Sequence, residues 1–305
     1  MAVYDILILG SGPAGLAAAI YAKRAELSVL VIEKNFMSGG QILNTYEVDN
    51  YPGLPGISGF DMGTKFREHA DKLGAEFVID NITGADLAGE IKTIRGEQAV
   101  YEGKTVIIAT GAHHRTLGIP GEVMLTGAGV SYCATCDGAF FRKKTTAVIG
   151  GGDVALEDAI YLARLCQKVY VIHRRDEFRG AKSLQRTLLS MENVEVLWDT
   201  IPEEICGDGH VEKLRLKNKK TGETNELPVD GVFVAVGIEP ESAVFAGGPA
   251  MDDHGYILAG EDGKTSIPGV FAAGDIRTKP LRQVVTAVAD GANCVTSAEK
   301  YLAEH

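Results

Sequence analysis

The sequence predicts an α/β fold of two three-layer (ββα) domains, the second inserted into the first. Three observations predict this fold: a repeated strand–turn–helix–strand pattern, a segment of short alternating strands after each copy, and a final strand and helix without a counterpart. The 305 residues provide ample length for two hydrophobic cores. With 45% hydrophobic and 23% charged residues, the composition is typical of a globular chain and not of a disordered one.

The repeat aligns residues 5–33 with residues 145–173 without a gap. Each copy has a short apolar strand, a glycine-rich turn, an Ala- and Leu-rich helix, and a second strand rich in Val and Ile. This is the βαβ unit of Rossmann-like nucleotide-binding domains, and it occurs twice. Gly10 and Gly150 occupy the position that needs a tight turn, and the following helix directs its positive end at a phosphate group.

The other small residues of the two turns support the same interpretation. Gly12 and Gly152 allow a pyrophosphate to approach the backbone, whereas Gly15 and Ala155 permit close packing of the helix on the strand. A lone glycine pattern is weak evidence, because many loops match it by chance. Here each copy stands between a strand and a helix, so we predict two nucleotide sites.

The ends of the second strands differ between the two copies. The first strand ends in Glu33, whose carboxylate suits the hydroxyls of a ribose and predicts FAD or NAD. The second ends in His173, Arg174 and Arg175, with Arg179 close behind, and guanidinium groups suit the 2′-phosphate of NADP(H). The alternative for these arginines is a solvated basic turn.

The remaining elements follow the repeat and predict where the domains meet. Short strands are expected at about 76–103 and 194–230, closing strands at 104–112 and 231–237, a further buried strand at 268–275, and a C-terminal helix from about 281. The last strand and helix are expected to complete the first domain. The predicted domains are an FAD-binding domain of residues 1–115 and 247–305, and an inserted NADPH-binding domain of residues 116–246.

Charge and hydropathy exclude several classes of function. The net charge of −11, without a basic cluster to offset it, argues against nucleic acid as a partner. The sequence has no stretch of about 20 apolar residues and no secretory pattern, so we expect no membrane span and a cytoplasmic location.

The pair Cys133 and Cys136 precedes the second glycine turn, inside the inserted domain. Such a pair is a redox dithiol, half of a zinc site, or an accident of composition. A structural zinc site needs four ligands, and the sequence lacks a second pair, so we predict a redox disulfide and no metal. Asp137 is placed to donate or accept the proton that thiol exchange needs, the alternative being an ordinary acid at a helix start.

Together these features predict one electron path. A nicotinamide transfers a hydride, a flavin accepts it, and a reduced flavin reduces a disulfide. The predicted order is therefore NADPH, FAD, the Cys133–Cys136 disulfide, and an external disulfide.

The motifs GSGPAG (10–15), GGQ (39–41), ATGA (109–112), CATCDG (133–138), GGGDVA (150–155), HRRDEFR (173–179), GVFAAGD (269–275) and RQVVTA (282–287) cover nearly the whole chain. The chain thereby resembles the bacterial-type, low-molecular-weight thioredoxin reductases. This resemblance implies an FAD-containing homodimer that reduces thioredoxin with NADPH, with a large rotation between the domains. It implies that Cys136 faces the flavin while Cys133 attacks the partner.

The motifs and the resemblance together assign cofactor-binding positions in both domains. For FAD they are Gly10, Ser11, Gly12, Pro13, Ala14, Gly15, Glu33, Lys34, Gly39, Gly40, Gln41, Asn50, Thr110, Gly111, Tyr256, Gly274, Asp275, Arg282, Gln283 and Val284, and for NADPH they are Gly150, Gly152, Asp153, Val154, Ala155, Glu157, His173, Arg174, Arg175, Arg179 and Gly237.

Two departures from the family pattern concern binding. Val154 stands where the family often has a hydroxyl residue, and Ala139 separates the glycine from the pair Phe140–Phe141. Other functions stay open: a flavin reductase fed by ferredoxin or another donor, a reductase of a glutaredoxin-like or peroxidase partner, or a redox sensor without turnover. Intact glycine turns and arginines favour NADPH as the donor. A peroxidase reductase would carry an extra N-terminal dithiol domain, which we do not expect here.

Overall fold

The protein is described by a computed structural model that covers residues 2–45 and 47–305. In chain order its strands and helices are β1 (Val3–Leu9), α1 (Pro13–Arg24), β2 (Val29–Glu33), α2 (Gly59–Lys72), β3 (Glu76–Ile79), β4 (Ile82–Asp86), β5 (Lys92–Gly96), β6 (Val100–Ile108), β7 (Ala112–His114), β8 (Val130–Ser131), α3 (Ala134–Asp137), β9 (Thr145–Gly150), α4 (Asp153–Ala163), β10 (Lys168–Ile172), α5 (Lys182–Leu189), β11 (Val194–Leu197), β12 (Thr200–Cys206), β13 (Lys213–Asn218), β14 (Thr224–Pro228), β15 (Gly231–Ala235), β16 (Ile238–Pro240), β17 (Val270–Ala272) and α6 (Val284–Glu304).

These elements form two compact units. The first unit consists of the described residues up to His113 together with Glu239–His305. The second unit consists of His114–Ile238. Both units contain parallel strands of the Rossmann-like kind, to which the first unit adds the antiparallel β4 and β5, and the chain returns from the second unit to complete the sheet of the first. The predicted α/β fold class, with one domain inserted into the other, is confirmed.

The sheet of the first unit is ordered β3-β2-β1-β6-β5-β4, and β17 pairs with the end of β6 that β5 leaves free. Alternate residues of β1 and β2 belong to two different cores: Ile6 and Ile8 face one, and Leu7 and Leu9 face the other. Because both faces of these strands are covered there, residues 6–9 of β1 and 29–32 of β2 are continuously apolar, as expected of a buried parallel sheet. Helices α1 and α6 cover one face.

The second unit repeats this plan with the sheet β11-β10-β9-β15-β8, in which every pairing is parallel. Helix α4 packs on one face, where Val148, Val169 and Val171 meet Leu156. The antiparallel sheet β12-β13-β14 covers the other face and contributes Leu214 to that core. In each sheet a glycine turn therefore follows the carboxyl end of a parallel strand, β1 in the first unit and β9 in the second.

The unit boundaries lie close to the predicted domain boundaries but do not coincide with them. The inserted unit ends at Ile238 instead of residue 246, because Phe245 packs beside Leu87 in a core of the first unit. The assignment of FAD to one unit and NADPH to the other stays a prediction. Within the residues that the structure describes, no helix has the length and apolar character that crossing a bilayer requires.

Candidate active site

The first glycine turn joins β1 to α1 in the first unit. Gly10 has a φ of 102°, and a Cβ there would lie 2.5 Å from the carbonyl oxygen of Ala109, so only glycine fits. A Cβ on Gly15 would collide with the carbonyl oxygen of Gly10, which explains the close helix packing predicted for this position. Gly12 is the N-cap of α1 and provides no side-chain cap. The first turn of this helix is thus open to an anion.

Glu33 lies at the end of β2, beside the glycine turn. Its Oε2 accepts hydrogen bonds from both the backbone N–H and the hydroxyl of Ser11, each at 2.8 Å. Its Oε1 accepts one from the backbone N–H of Asn35 at 2.9 Å. The carboxylate is thereby held at the strand end where a ribose is expected.

The other candidates of the first segment lie around this turn. Gly40 closely approaches Gly12, and the amide of Gln41 donates to the carbonyl oxygen of Ala112. The hydroxyl of Thr110 donates to the carbonyl oxygen of Glu241 at 2.9 Å, and Lys34 Nζ lies 3.3 Å from Glu241 Oε1. The structure therefore brings positions from distant parts of the sequence to the edge where β1 and β6 end.

Asp275 is the candidate whose surroundings point most clearly to a ligand. Within the described part of the chain, its Oδ1 is buried and has no hydrogen-bond partner. Burial raises the pKa of Asp275, and the positive charges of Lys279 and Arg282 oppose that rise. The Arg282 guanidinium lies 4.1 Å from the centre of the Tyr256 ring. A buried carboxyl oxygen without a partner costs free energy unless a bound group donates to it.

The start of α6 adds two more candidates to this site. Asn50 Nδ2 donates to Gln283 Oε1 at 2.9 Å, although the two are far apart in the sequence. The helix begins at Val284 and not at about residue 281 as predicted, because Gln283 is its N-cap and forms a capping box with Thr286.

The second glycine turn joins β9 to α4 in the second unit. Gly152 is the N-cap of α4 and, like Gly12, provides no side-chain cap. Asp153 Oδ1 accepts a hydrogen bond from the backbone N–H of Ala181 at 2.7 Å and so braces the start of α5. Val154 and Glu157 are exposed on the first turns of the helix. This helix end is again open to an anion.

The segment after β10 contains the residues that are predicted to bind the 2′-phosphate of NADPH. Arg174, Arg175 and Arg179 are exposed, whereas His173 is buried. The His173 ring lies 3.0 Å from the carbonyl oxygens of both Gly150 and Glu177. Burial lowers the pKa of His173. His173 therefore braces the glycine turn against the arginine segment, while the arginines are free to meet a ligand.

The dithiol lies between β8 and the second glycine turn. Cys133 and Cys136 form a disulfide with an S–S distance of 2.07 Å. Cys133 is the N-cap of the short helix α3, and its Sγ lies 3.4 Å from Thr135 Oγ1. No group of three or more potential metal ligands occurs in residues 2–45 and 47–305. The cysteine pair is thus a disulfide in this structure.

Asp137 ends α3, directly after the second cysteine. Its Oδ2 accepts a hydrogen bond of 2.6 Å from the hydroxyl of Ser131. Burial raises the pKa of Asp137, and the bond from Ser131 acts in the opposite direction. An aspartate with a raised pKa next to a disulfide suits proton transfer in thiol exchange.

Sequence reasoning missed two residues of these sites, Ser131 and Asp290. Ser131 lies two positions before Cys133, and a hydroxyl so close to a dithiol was a usable signal. Asp290 Oδ2 accepts the backbone N–H of Gly274 at 2.9 Å. An acid among the apolar residues in the first half of α6 was the signal there.

Comparison with known proteins agrees with these sites. A family model for pyridine nucleotide-disulphide oxidoreductases matches residues 4–291, so the chain belongs to this family of enzymes. A thioredoxin reductase of Peptoclostridium acidaminophilum is 51% identical over 307 aligned residues, covering 98% of this chain and 97% of the relative. A thioredoxin reductase of Listeria monocytogenes is 45% identical, covering 99% of this chain and 95% of the relative.

A solved structure gives the same result. The thioredoxin reductase of Streptococcus pyogenes has a TM-score of 0.96 and 44% sequence identity, covering all of this chain and 99% of the other. The predicted class, an oxidoreductase enzyme, and the predicted resemblance to bacterial thioredoxin reductases are confirmed. Thioredoxin reductases of this family use FAD and NADPH, which confirms the predicted cofactors.

Proposed function

We propose that this chain reduces the disulfide of thioredoxin with electrons from NADPH, passed through FAD and the Cys133–Cys136 pair. The observation that supports this most directly is the Cys133–Cys136 disulfide beside Asp137, in the unit whose glycine turn and arginines suit NADPH. Bound FAD would accept a hydride and pass the electron pair on to the disulfide. The remaining chemistry belongs to side chains of this protein.

We assign FAD to the first unit. The open end of α1 at Gly12 would bind the pyrophosphate, Glu33 would accept the ribose hydroxyls, and Asp275 would accept a hydrogen bond with its unpartnered buried oxygen. Gln41, Asn50 and the start of α6 would line the same site. We assign NADPH to the second unit, with the pyrophosphate at the end of α4 and the 2′-phosphate at the three arginines.

The dithiol would react by thiol exchange. The Cys133 thiolate attacks one sulfur of the thioredoxin disulfide, and Cys136 then attacks Cys133 and releases reduced thioredoxin. Asp137 supplies a proton to a departing thiolate. Thioredoxin is the partner that the names of the relatives indicate. We also propose a homodimer, which light scattering of the purified protein tests, and a cytoplasmic location.

An anaerobic titration followed by visible spectroscopy tests the cofactor assignment. The purified protein should be yellow, and NADPH should bleach the flavin band at a much lower concentration than NADH. Addition of oxidised thioredoxin should then restore the band. A colourless protein that does not bind added FAD would overturn the proposal, and a flavin that only reduced ferredoxin bleaches would replace it with the ferredoxin-fed alternative.

A further inference from the structure

Ser131 is the last residue of β8, and its position is fixed by the pairing of β8 with β15. Its side chain is buried, with 5% of the residue exposed. Its Oγ donates to Asp137 Oδ2 at 2.6 Å and accepts from the backbone N–H of Cys133 at 3.0 Å. One hydroxyl therefore connects the start of the dithiol segment to the acid that follows it.

We propose that Ser131 is a positioning residue, which holds Asp137 beside the dithiol and sets the pH range in which Asp137 delivers protons. This inference rests on the proposed function, since it names the residue that controls the acid of that same site. Ser131 contacts the acid and the backbone of the dithiol, and it does not react itself.

The exchange reaction needs an acid, because each of its two steps releases a thiolate that takes up a proton. When Cys133 attacks, a bond forms from its sulfur to one thioredoxin sulfur, the thioredoxin S–S bond breaks, and the released thiolate takes a proton. When Cys136 attacks Cys133, the enzyme disulfide closes, and the second thioredoxin thiolate leaves and takes another proton. The electron pair of the reduced dithiol ends on thioredoxin. The two protons that the dithiol gave up are the two that thioredoxin gains.

The interactions of Asp137 make Ser131 the residue that opposes the effect of burial on the pKa of this acid. The contributions to the pKa of Asp137 are burial, which raises it, and the Ser131 hydrogen bond, which lowers it. Helix α4 packs against α3 and carries the titratable groups Asp153, Glu157, Asp158 and Tyr161. The Tyr161 ring approaches Gly138, and burial raises the pKa of Asp158 to about 7. Loss of the hydroxyl is therefore expected to raise the pKa of Asp137 further.

The test is the pH profile of kcat for thioredoxin reduction at saturating NADPH, with Ser131→Ala, Ser131→Thr and, as a matched control, the exposed Ser183→Ala. Because an acid works in its protonated form, activity falls as the pH rises through its pKa. Ser131→Ala should move this basic limb to higher pH, because the pKa of Asp137 rises, and should lower the plateau value of kcat by roughly tenfold, because Asp137 is no longer held in place. Ser131→Thr keeps the hydroxyl and should restore both values. The rate at which NADPH bleaches the flavin should not change in any of them.

A second comparison, at Asp137 itself, keeps the inference testable if Ser131→Ala does not fold. Asp137→Asn alone should remove the same basic limb, and a limb that persists in Asp137→Asn would overturn the inference. When Ser131→Ala folds, adding it to Asp137→Asn should have no further effect on the profile. A fall in kcat without a shift of the limb would make Ser131 merely structural and overturn the inference, as would an unchanged profile. A wild-type protein that does not reduce thioredoxin would instead overturn the proposed function.

Discussion

Asp290 and Arg277 form a bidentate ion pair behind the Asp275 turn. Arg277 Nη2 lies 2.6 Å from Asp290 Oδ1, and Arg277 Nε lies 2.9 Å from Oδ2. Lys279 Nζ adds a third contact at 2.8 Å, and all three side chains are less than a tenth exposed. Asp290 also accepts the backbone N–H of Gly274. A buried network thus ties helix α6 to the turn that presents Asp275.

Replacing the acid of this network should affect both stability and FAD binding. Asp290→Asn leaves two buried cations without their counter-ion, so we expect a loss of about 3–5 kcal/mol in the free energy of unfolding. Because pairing lowers the pKa of Asp290, this stabilisation is present at neutral pH and is lost as the pH falls below the ordinary range of aspartate. FAD should also dissociate more readily. Urea unfolding of the apoprotein and flavin release on ultrafiltration measure the two effects.

The exposed Asp253→Asn is the matched control for this change and should alter neither quantity. If Asp290→Asn unfolds at the wild-type urea concentration and retains its FAD, the network does not support the Asp275 turn.

The arginines after β10 should determine the choice between NADPH and NADH. Charge-assisted hydrogen bonds to the 2′-phosphate contribute about 1.5–3 kcal/mol each, so NADPH should be preferred by at least about tenfold. Arg174→Ala or Arg175→Ala should raise KM for NADPH and leave KM for NADH nearly unchanged. Steady-state assays with both cofactors measure this, and the exposed Arg164→Ala on the same unit is the control. An equal loss for both cofactors would show that these arginines do not bind the 2′-phosphate.

Asp158 should make the stability of the protein depend on pH. Burial, followed by the nearby charge of Glu157, raises its pKa to about 7 from an ordinary value of 3.8. Between pH 3.8 and about pH 7, the folded state keeps a proton on Asp158 that the unfolded state has released. The contribution of Asp158 to the free energy of unfolding therefore falls as the pH rises through this range. Asp158→Asn removes the effect and should be more stable than the wild type at pH 8, on the order of 1–4 kcal/mol.

Denaturant unfolding at several pH values between about 4 and 8 measures this difference, which should shrink towards the acid end. The exposed Glu192→Gln should show no such trend. A difference between Asp158→Asn and the wild type that stays constant with pH would mean that Asp158 is not a buried protonated acid.

The parts that the sequence predicts well are those determined by local pattern. The turn after β1 requires a glycine with positive φ, and the helix that follows this turn requires small residues. The sequence alone therefore predicts the positions of Gly10 and α1. The same holds for the cysteine pair, whose spacing alone allows a short disulfide ring.

The parts that the sequence does not predict depend on contacts between distant residues. Asp290 interrupts an apolar helix pattern, and only the fold shows that two cations and the Gly274 N–H meet it. The boundary of the inserted unit depends on which core receives Phe245, and no local signal decides that. Propensity and periodicity describe single elements, whereas these features belong to tertiary packing.

Electrons should reach thioredoxin only through Cys133 and Cys136, and the activity of two cysteine variants measures this. Thioredoxin-dependent oxidation of NADPH should be abolished in both Cys133→Ser and Cys136→Ser, because each step of the exchange needs one of the two thiols. NADPH should still bleach the flavin of both variants, since that hydride transfer requires no sulfur. Cys136→Ser should in addition trap a mixed disulfide with a thioredoxin that lacks its second cysteine and whose remaining cysteine is activated as a disulfide with thionitrobenzoate, which leaves as the thiolate when Cys133 attacks. If both variants oxidised NADPH with thioredoxin at the wild-type rate, the Cys133–Cys136 disulfide would be structural and the electron path proposed for this protein would be wrong.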